Sequence, residues 1–130
     1  MNLAGASIKW VMLVSGALTC TMAYAAIQPQ AALQANFGQT LEGPAAEIVV
    51  RNWGLLITLV GAMLIHGAFN PPERPMVLLV AGASKLAFIG LVLMQGEAML
   101  AHQAGVAVAV DSVWVLLFAW YLLTGRAAAP

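Results

Sequence analysis

Four long apolar runs, separated by polar or proline-rich stretches, organise the chain. The first covers residues 8–27 and stops before Pro29. That length matches the roughly 20 residues needed to cross a hydrocarbon core. The second covers 45–69, and Asn70-Pro71-Pro72-Glu73-Arg74-Pro75 then breaks it abruptly. The third covers 76–97, and the fourth, 102–124 at its widest, begins somewhere between His102 and Val106. Apolar residues run continuously in all four, which predicts helices and argues against the alternating strands of a membrane barrel. Helices also satisfy their own backbone groups, as hydrocarbon requires. The segment 28–44 carries Asn36, Gly38, Gln39, Glu42 and Gly43 and is too long for a tight turn. Its interior, 31–35, predicts a short interfacial helix. The expected fold is all-α, an antiparallel four-helix transmembrane bundle forming one domain over 1–130.

Composition strengthens this reading. Charged residues make up 8% of the chain, against about 25% in soluble domains. Hydrophobic residues make up 62%, and mean hydropathy is +0.91. So few charges do not cover a soluble core, and an integral membrane protein is expected. The net charge is zero, with no basic cluster of the kind that binds nucleic acid. Cys20 is the one cysteine, which excludes an intrachain disulfide and a thiolate metal site. Lys9, the apolar run after it and Ala23-Tyr24-Ala25 have the outline of a signal peptide. With a single basic residue ahead of the run, a retained first span is the expectation.

Charge also orients the bundle. Four spans put the amino terminus, the 70–75 turn and the carboxy terminus on one side, with Lys9, Arg74, Arg126 and Glu73. The other side holds Glu42, Glu47 and Glu97, with Arg51 at the mouth of the second span. Positive-inside bias therefore expects both termini in the cytoplasm of a bacterial inner membrane. Trp10, Trp53, Trp120 and Tyr121 fall where an interfacial aromatic belt is expected. Small residues recur in every span, and Gly54 and Gly61 share a face of the second. Close helix approach is the simpler reading, and a ligand against bare backbone is the sharper one.

Lys85 lies well inside the third run. A lysine at that depth costs about 2.5–3.5 kcal/mol unless it snorkels or finds a partner. At 1.5 Å per residue, Lys85 is about 18 Å and Asp111 about 14 Å from the outer ends of their helices if the fourth starts at His102. A lysine stem spans that difference. A start at Val106 widens it to about 10 Å and makes a direct pair doubtful. An interhelical ion pair, proton or ion handling, and recognition of a polar head group all remain open. Glu47 and Arg51 are four apart, which fits an interfacial anchor or the rim of a site with Glu97, His102 and Asp111. Arg51 has the length to reach Asp111 or clamp a carboxylate or phosphate. Trp114, three residues after Asp111, is expected to line the same pocket and to need a partner for its N–H. His66 and His102 are about a membrane apart, so no shared metal is expected. No di-iron carboxylate pattern, serine elbow or glycine-rich phosphate loop occurs. No cofactor is implied.

Two stretches carry a resemblance. Glu47-Ile48-Val49-Val50-Arg51-Asn52-Trp53-Gly54, with Gly61, and Asp111-Ser112-Val113-Trp114-Val115-Leu116-Leu117 are similar to small four-helix bacterial membrane proteins of the DoxX-like kind. The resemblance is particularly to an uncharacterised group known as the DUF4345 family. The resemblance implies a four-helix bundle, and relatives in the wider group look like accessory subunits of membrane redox systems. It makes Arg51 and Asp111 the positions to watch, whereas Lys85 maps onto no family motif. The candidate cluster is thus Arg51, Lys85, Asp111, Glu47 and Trp114. The expected function is an accessory or assembly subunit that contacts membrane lipids, a lipid-like or quinone-like ligand, further copies of itself or a foreign subunit. The alternative is a small enzyme or transporter with an outward-facing Arg51, Lys85 and Asp111 site.

Overall fold

The structure is a computed structural model that describes residues 3–128, with side chains from Ala6 to Thr124. Among the described residues every regular element is helical. The stretches Ala6–Ile27, Pro44–Phe69, Pro71–Met94 and Gln103–Thr124 are each long and apolar enough to cross a membrane. Leu59, Leu91, Leu116 and Leu123 are more than half exposed on their outer faces. Such a surface suits lipid and not water.

Helix α1 (Leu3–Cys20) passes through a 3-10 turn, Thr21–Ala23, into the single turn α2 (Tyr24–Ile27). Just there, Thr19 Oγ1 donates to the Ser15 carbonyl at 2.6 Å and Thr21 Oγ1 to the Leu18 carbonyl at 2.5 Å. Hydroxyls that bond the preceding turn compete with the helical ladder, which fits its tightening at this point. The 28–44 connection holds more structure than expected. Its helix α3 (Pro29–Phe37) starts on a proline and ends at Gly38, whose φ of +70° makes a left-handed cap. Asn36 Nδ2 donates to the Ala32 carbonyl and to Tyr24 Oη, which ties α3 back to α2.

Helix α4 (Pro44–Phe69) ends in a set of satisfied carbonyls. Asn70 Nδ2 donates to the His66 carbonyl at 2.7 Å, and the buried Arg74 reaches the carbonyls of Gly67 and Ala68 at 3.1 and 2.7 Å. These groups have no partner inside their own helix, and a guanidinium also suits the negative end of the helix dipole. His66 Nε2 meets Glu73 Oε2 across the same turn. The Lys9 ammonium sits 5.1 Å from the centroid of the Phe69 ring, which joins α1 to this end. The side chain of Arg126, assigned to the same side from sequence, lies outside the described residues.

Helix α5 (Arg74–Met94) stops before Glu97, earlier than the apolar run suggests. Gly96 takes φ +94°, a conformation that glycine adopts freely, and turns the chain into the short α6 (Glu97–Leu100). Helix α7 (Gln103–Ala128) then begins near the early end of its expected window. Gly105 permits the join, because a Cβ there would collide with the Leu100 carbonyl.

Helix α1 lies against α4, and α5 against α7, with further contacts between α4 and α5 and between α1 and α7. Small residues set the first of these interfaces. A Cβ on Gly61 would lie 2.7 Å from Cys20 Sγ and 2.8 Å from the Gly16 carbonyl oxygen, and one on Gly54 would meet Ala25 and Ala26. Close helix approach is thus what Gly54 and Gly61 serve. The main core cluster comprises Ile8, Met12, Leu64, Ala68, Val77, Leu78, Ala81 and Phe118. All of them belong to the half of the structure that ends at Lys9 and Arg74.

Gly61→Ala is expected to lower stability by about 1–3 kcal/mol through overpacking. Gly90, where an added Cβ meets nothing within 4 Å, is the control; Gly90→Ala should be neutral or stabilising by up to about 1 kcal/mol. Thermal melts in mild detergent compare the two. Equal losses would mean that the Gly16–Gly61 contact does not hold α1 on α4.

Candidate functional site

Lys85 stands about 14 Å along α5 from Met94, and Asp111 about 12 Å along α7 from Gln103, at 1.5 Å per residue. The early start of α7 brings the two to one level. Lys85 Nζ donates to Asp111 Oδ1 at 2.9 Å and to Thr19 Oγ1 at 3.3 Å. Their side chains are 8% and 19% exposed, so the ion pair is withdrawn from the surroundings on most sides. Thr19 extends the link to the first span, since its own hydroxyl donates to Ser15. Three spans therefore meet at one ammonium group.

Beside the pair, away from the main core, the structure is hollow. A partly open cavity of about 500 Å³ lies among α1, α2, α3, α4, α5 and α7. Lys85 and Asp111 line it together with Trp114, Tyr24 and Asn36. Apolar side chains such as Met22, Ile57, Val60 and Phe88 make up the rest of its wall. Mostly apolar lining with a few converging polar groups is the usual make-up of a small-molecule site, and the volume falls in the usual range. Leu18 and Val106 line the cavity while remaining 50% and 65% exposed, so it communicates with the outer face of the spans.

Helix α3 lies at the far end of this hollow. Asn36 holds it to Tyr24, and the ring of Phe37 lies 6.0 Å from that of Trp53. Gly38 comes so close to the His102 ring that no Cβ would fit.

The structure brings together three of the five residues expected from sequence. Lys85, Asp111 and Trp114 share the cavity, and Trp114 Nε1 has no hydrogen-bond partner among the described residues. Arg51 does not join them. Its Nη1 donates to the Ala26 carbonyl at 2.5 Å, and its Nη2 lies 3.5 Å from Glu47 Oε1. The Ala26 carbonyl belongs to the last turn of α2, so Arg51 caps that helix end from outside and does not reach Asp111. Glu47 is held on the same exposed face. Glu97 on α6 is exposed, and neither it nor His102 lines the cavity.

Thr19, Tyr24 and Asn36 were missed in the sequence. Ser15 and Thr19 are an i,i+4 polar pair within an apolar span, a signal that periodicity offered. The role of Asn36 depends on α3 folding back, and no local pattern reports that. Among the described residues, no three metal-ligating side chains converge. No protein-family model matches the chain, and no curated protein or solved structure does. The geometry of the cavity therefore carries the functional reading.

Lys85→Ala and Asp111→Ala are each expected to destabilise the protein by about 3–5 kcal/mol, since each leaves a buried charge uncompensated. The double variant should lose less than the sum, with a coupling of about 0.5–3 kcal/mol. Melting temperatures of the four proteins in one detergent close the cycle. Additive losses would refute direct pairing.

Proposed function

We propose that this chain is an antiparallel four-helix membrane protein that holds an amphiphilic molecule in the cavity above Lys85 and Asp111. The single observation behind the reading is a hollow of about 500 Å³ with a hydrogen-bonding floor and apolar walls. A purely structural ion pair needs no such space beside it. The antiparallel order is supported by the register of α1 on α4. Gly16 faces Gly61 while Ala25 faces Gly54, so position rises along one helix as it falls along the other.

The occupant is lipid-like or quinone-like, and the protein acts as an accessory or assembly subunit for a membrane partner or for further copies of itself. The resemblance to DoxX-like proteins through the Glu47–Gly54 and Asp111–Leu117 stretches is in line with that role. A bacterial inner membrane with both termini in the cytoplasm agrees with Lys9 and Arg74 at one end and Glu42, Glu47 and Glu97 towards the other. The enzyme or transporter alternative loses its electrostatic clamp, because Arg51 is engaged by Ala26 and Glu47.

Native mass spectrometry of the gently extracted protein tests the reading, because it reports bound small molecules and subunits together. A co-purifying amphiphile is expected on the wild type. It should be lost from Ala107→Trp, which fills the cavity from its α7 wall, with little change in melting temperature. An unoccupied wild type, or an amphiphile retained equally by the filled variant, would overturn it.

A further inference from the structure

We infer that the cavity selects amphiphiles with uncharged head groups that both accept and donate hydrogen bonds, and that the Lys85–Asp111 pair enforces this selection. The inference rests on the amphiphile-binding reading and specifies its ligand class.

A lone buried lysine would recruit an anion, and a lone aspartate a cation. Here each is already neutralised at 2.9 Å by the other. An anionic head brought to Lys85 must share the ammonium with Asp111 in a site where water screens little, and like charges repel. A cationic head meets the same conflict with Lys85. An uncharged head leaves the pair intact.

Hydrogen-bonding capacity remains to be met. The Lys85 ammonium has three N–H groups, of which Asp111 and Thr19 engage two. One donor is left on Lys85, and Trp114, whose Nε1–H has no partner among the described residues, lines the same cavity. Asp111 Oδ1 is occupied, and Oδ2 remains as an acceptor. Tyr24 Oη accepts from Asn36 and keeps its own proton to donate. Asn36 uses its amide nitrogen on Tyr24 and Ala32 and keeps its Oδ1. At the pair itself the cavity thus presents a donor, an acceptor and no net charge, with Tyr24 and Asn36 adding polar groups at the far end, which fits hydroxyl and carbonyl groups on an apolar chain. Phosphate, sulfate and ammonium heads are disfavoured. Discrimination of this kind works through what the wrong head disrupts as much as through what the right one gains.

Three probes with the same oleyl-length chain separate the possibilities: monoolein (uncharged), oleyl sulfate (anionic) and oleylamine (cationic). Each is titrated at equal mole fraction into delipidated protein in mild detergent, and bound probe is counted by native mass spectrometry. Monoolein should be retained at least about fivefold more strongly than either charged probe. Asp111→Asn, which keeps the shape but frees the ammonium, should shift the preference towards oleyl sulfate. Charged probes retained within about fivefold of monoolein by the wild type would overturn head-group selection while leaving amphiphile binding in place. An unchanged preference in a folded Asp111→Asn protein would remove the pair from the explanation. If that variant does not fold, the wild-type comparison decides alone. Retention of none of the three would overturn the amphiphile reading and the selection with it.

Discussion

An ammonium group among apolar helices must be met, and the way Lys85 is met constrains the rest of the molecule. Its partner Asp111 is on the neighbouring α7, so both helices must present the two residues at one level. That level is set several residues away. Gly96 ends α5, α6 takes up one turn, and the bare backbone of Gly105 lets α7 begin against Leu100. The cost of withdrawing two charges from water makes a mismatch of even one helical turn expensive. Short-loop geometry and the interhelical ion pair are therefore one constraint seen at two places. Thr19 brings α1 into it, and α1 is in turn held on α4 by glycine.

The pair also marks a boundary. Towards Lys9 and Arg74, the helices meet through Ile8, Met12, Leu64, Leu78 and Phe118, all buried. Away from it the same helices enclose a hollow, and α3 lies at its end. Small residues let α1 approach α4 closely at Gly16 and Gly61, and α2 approach it at Gly54. The space is bounded by residues of all four spans and of α3, and polar side chains fall on its lining. Such a division lets one half supply rigidity while the other supplies room.

Much of this was legible in the chain. The four spans follow from continuous apolar runs and proline breaks, and the structure keeps them with shifts of a few residues. The third was read too long because Met94, Glu97 and the residues between continue a helical pattern, and only the positive φ of Gly96 ends it. The Lys85–Asp111 pair was legible as a condition on where the last helix begins. Sequence could not resolve that, since His102 through Val106 all tolerate a helix start. Arg51 was misplaced for a different reason. Its length permits many targets, and its actual partner is a backbone carbonyl, which leaves no trace in residue identity. The cap formed by Arg74 on Gly67 and Ala68 was hidden in the same way. Side chains that serve main-chain groups are hard to read from sequence, whereas charges facing charges are easier.

The exposed positions of Leu18 and Val106 at the edge of the hollow carry a consequence for supply. Both residues belong to membrane-length helices and stay half or more exposed while lining the hollow, and α3 lies at its far end. On the proposed function, a molecule arriving there would be drawn sideways from the hydrocarbon. Its relevant concentration is then its mole fraction in the lipid and not its solubility in water. A compound that partitions strongly into the bilayer would fill the site even with weak contacts inside. Under that proposal, occupancy would follow membrane composition.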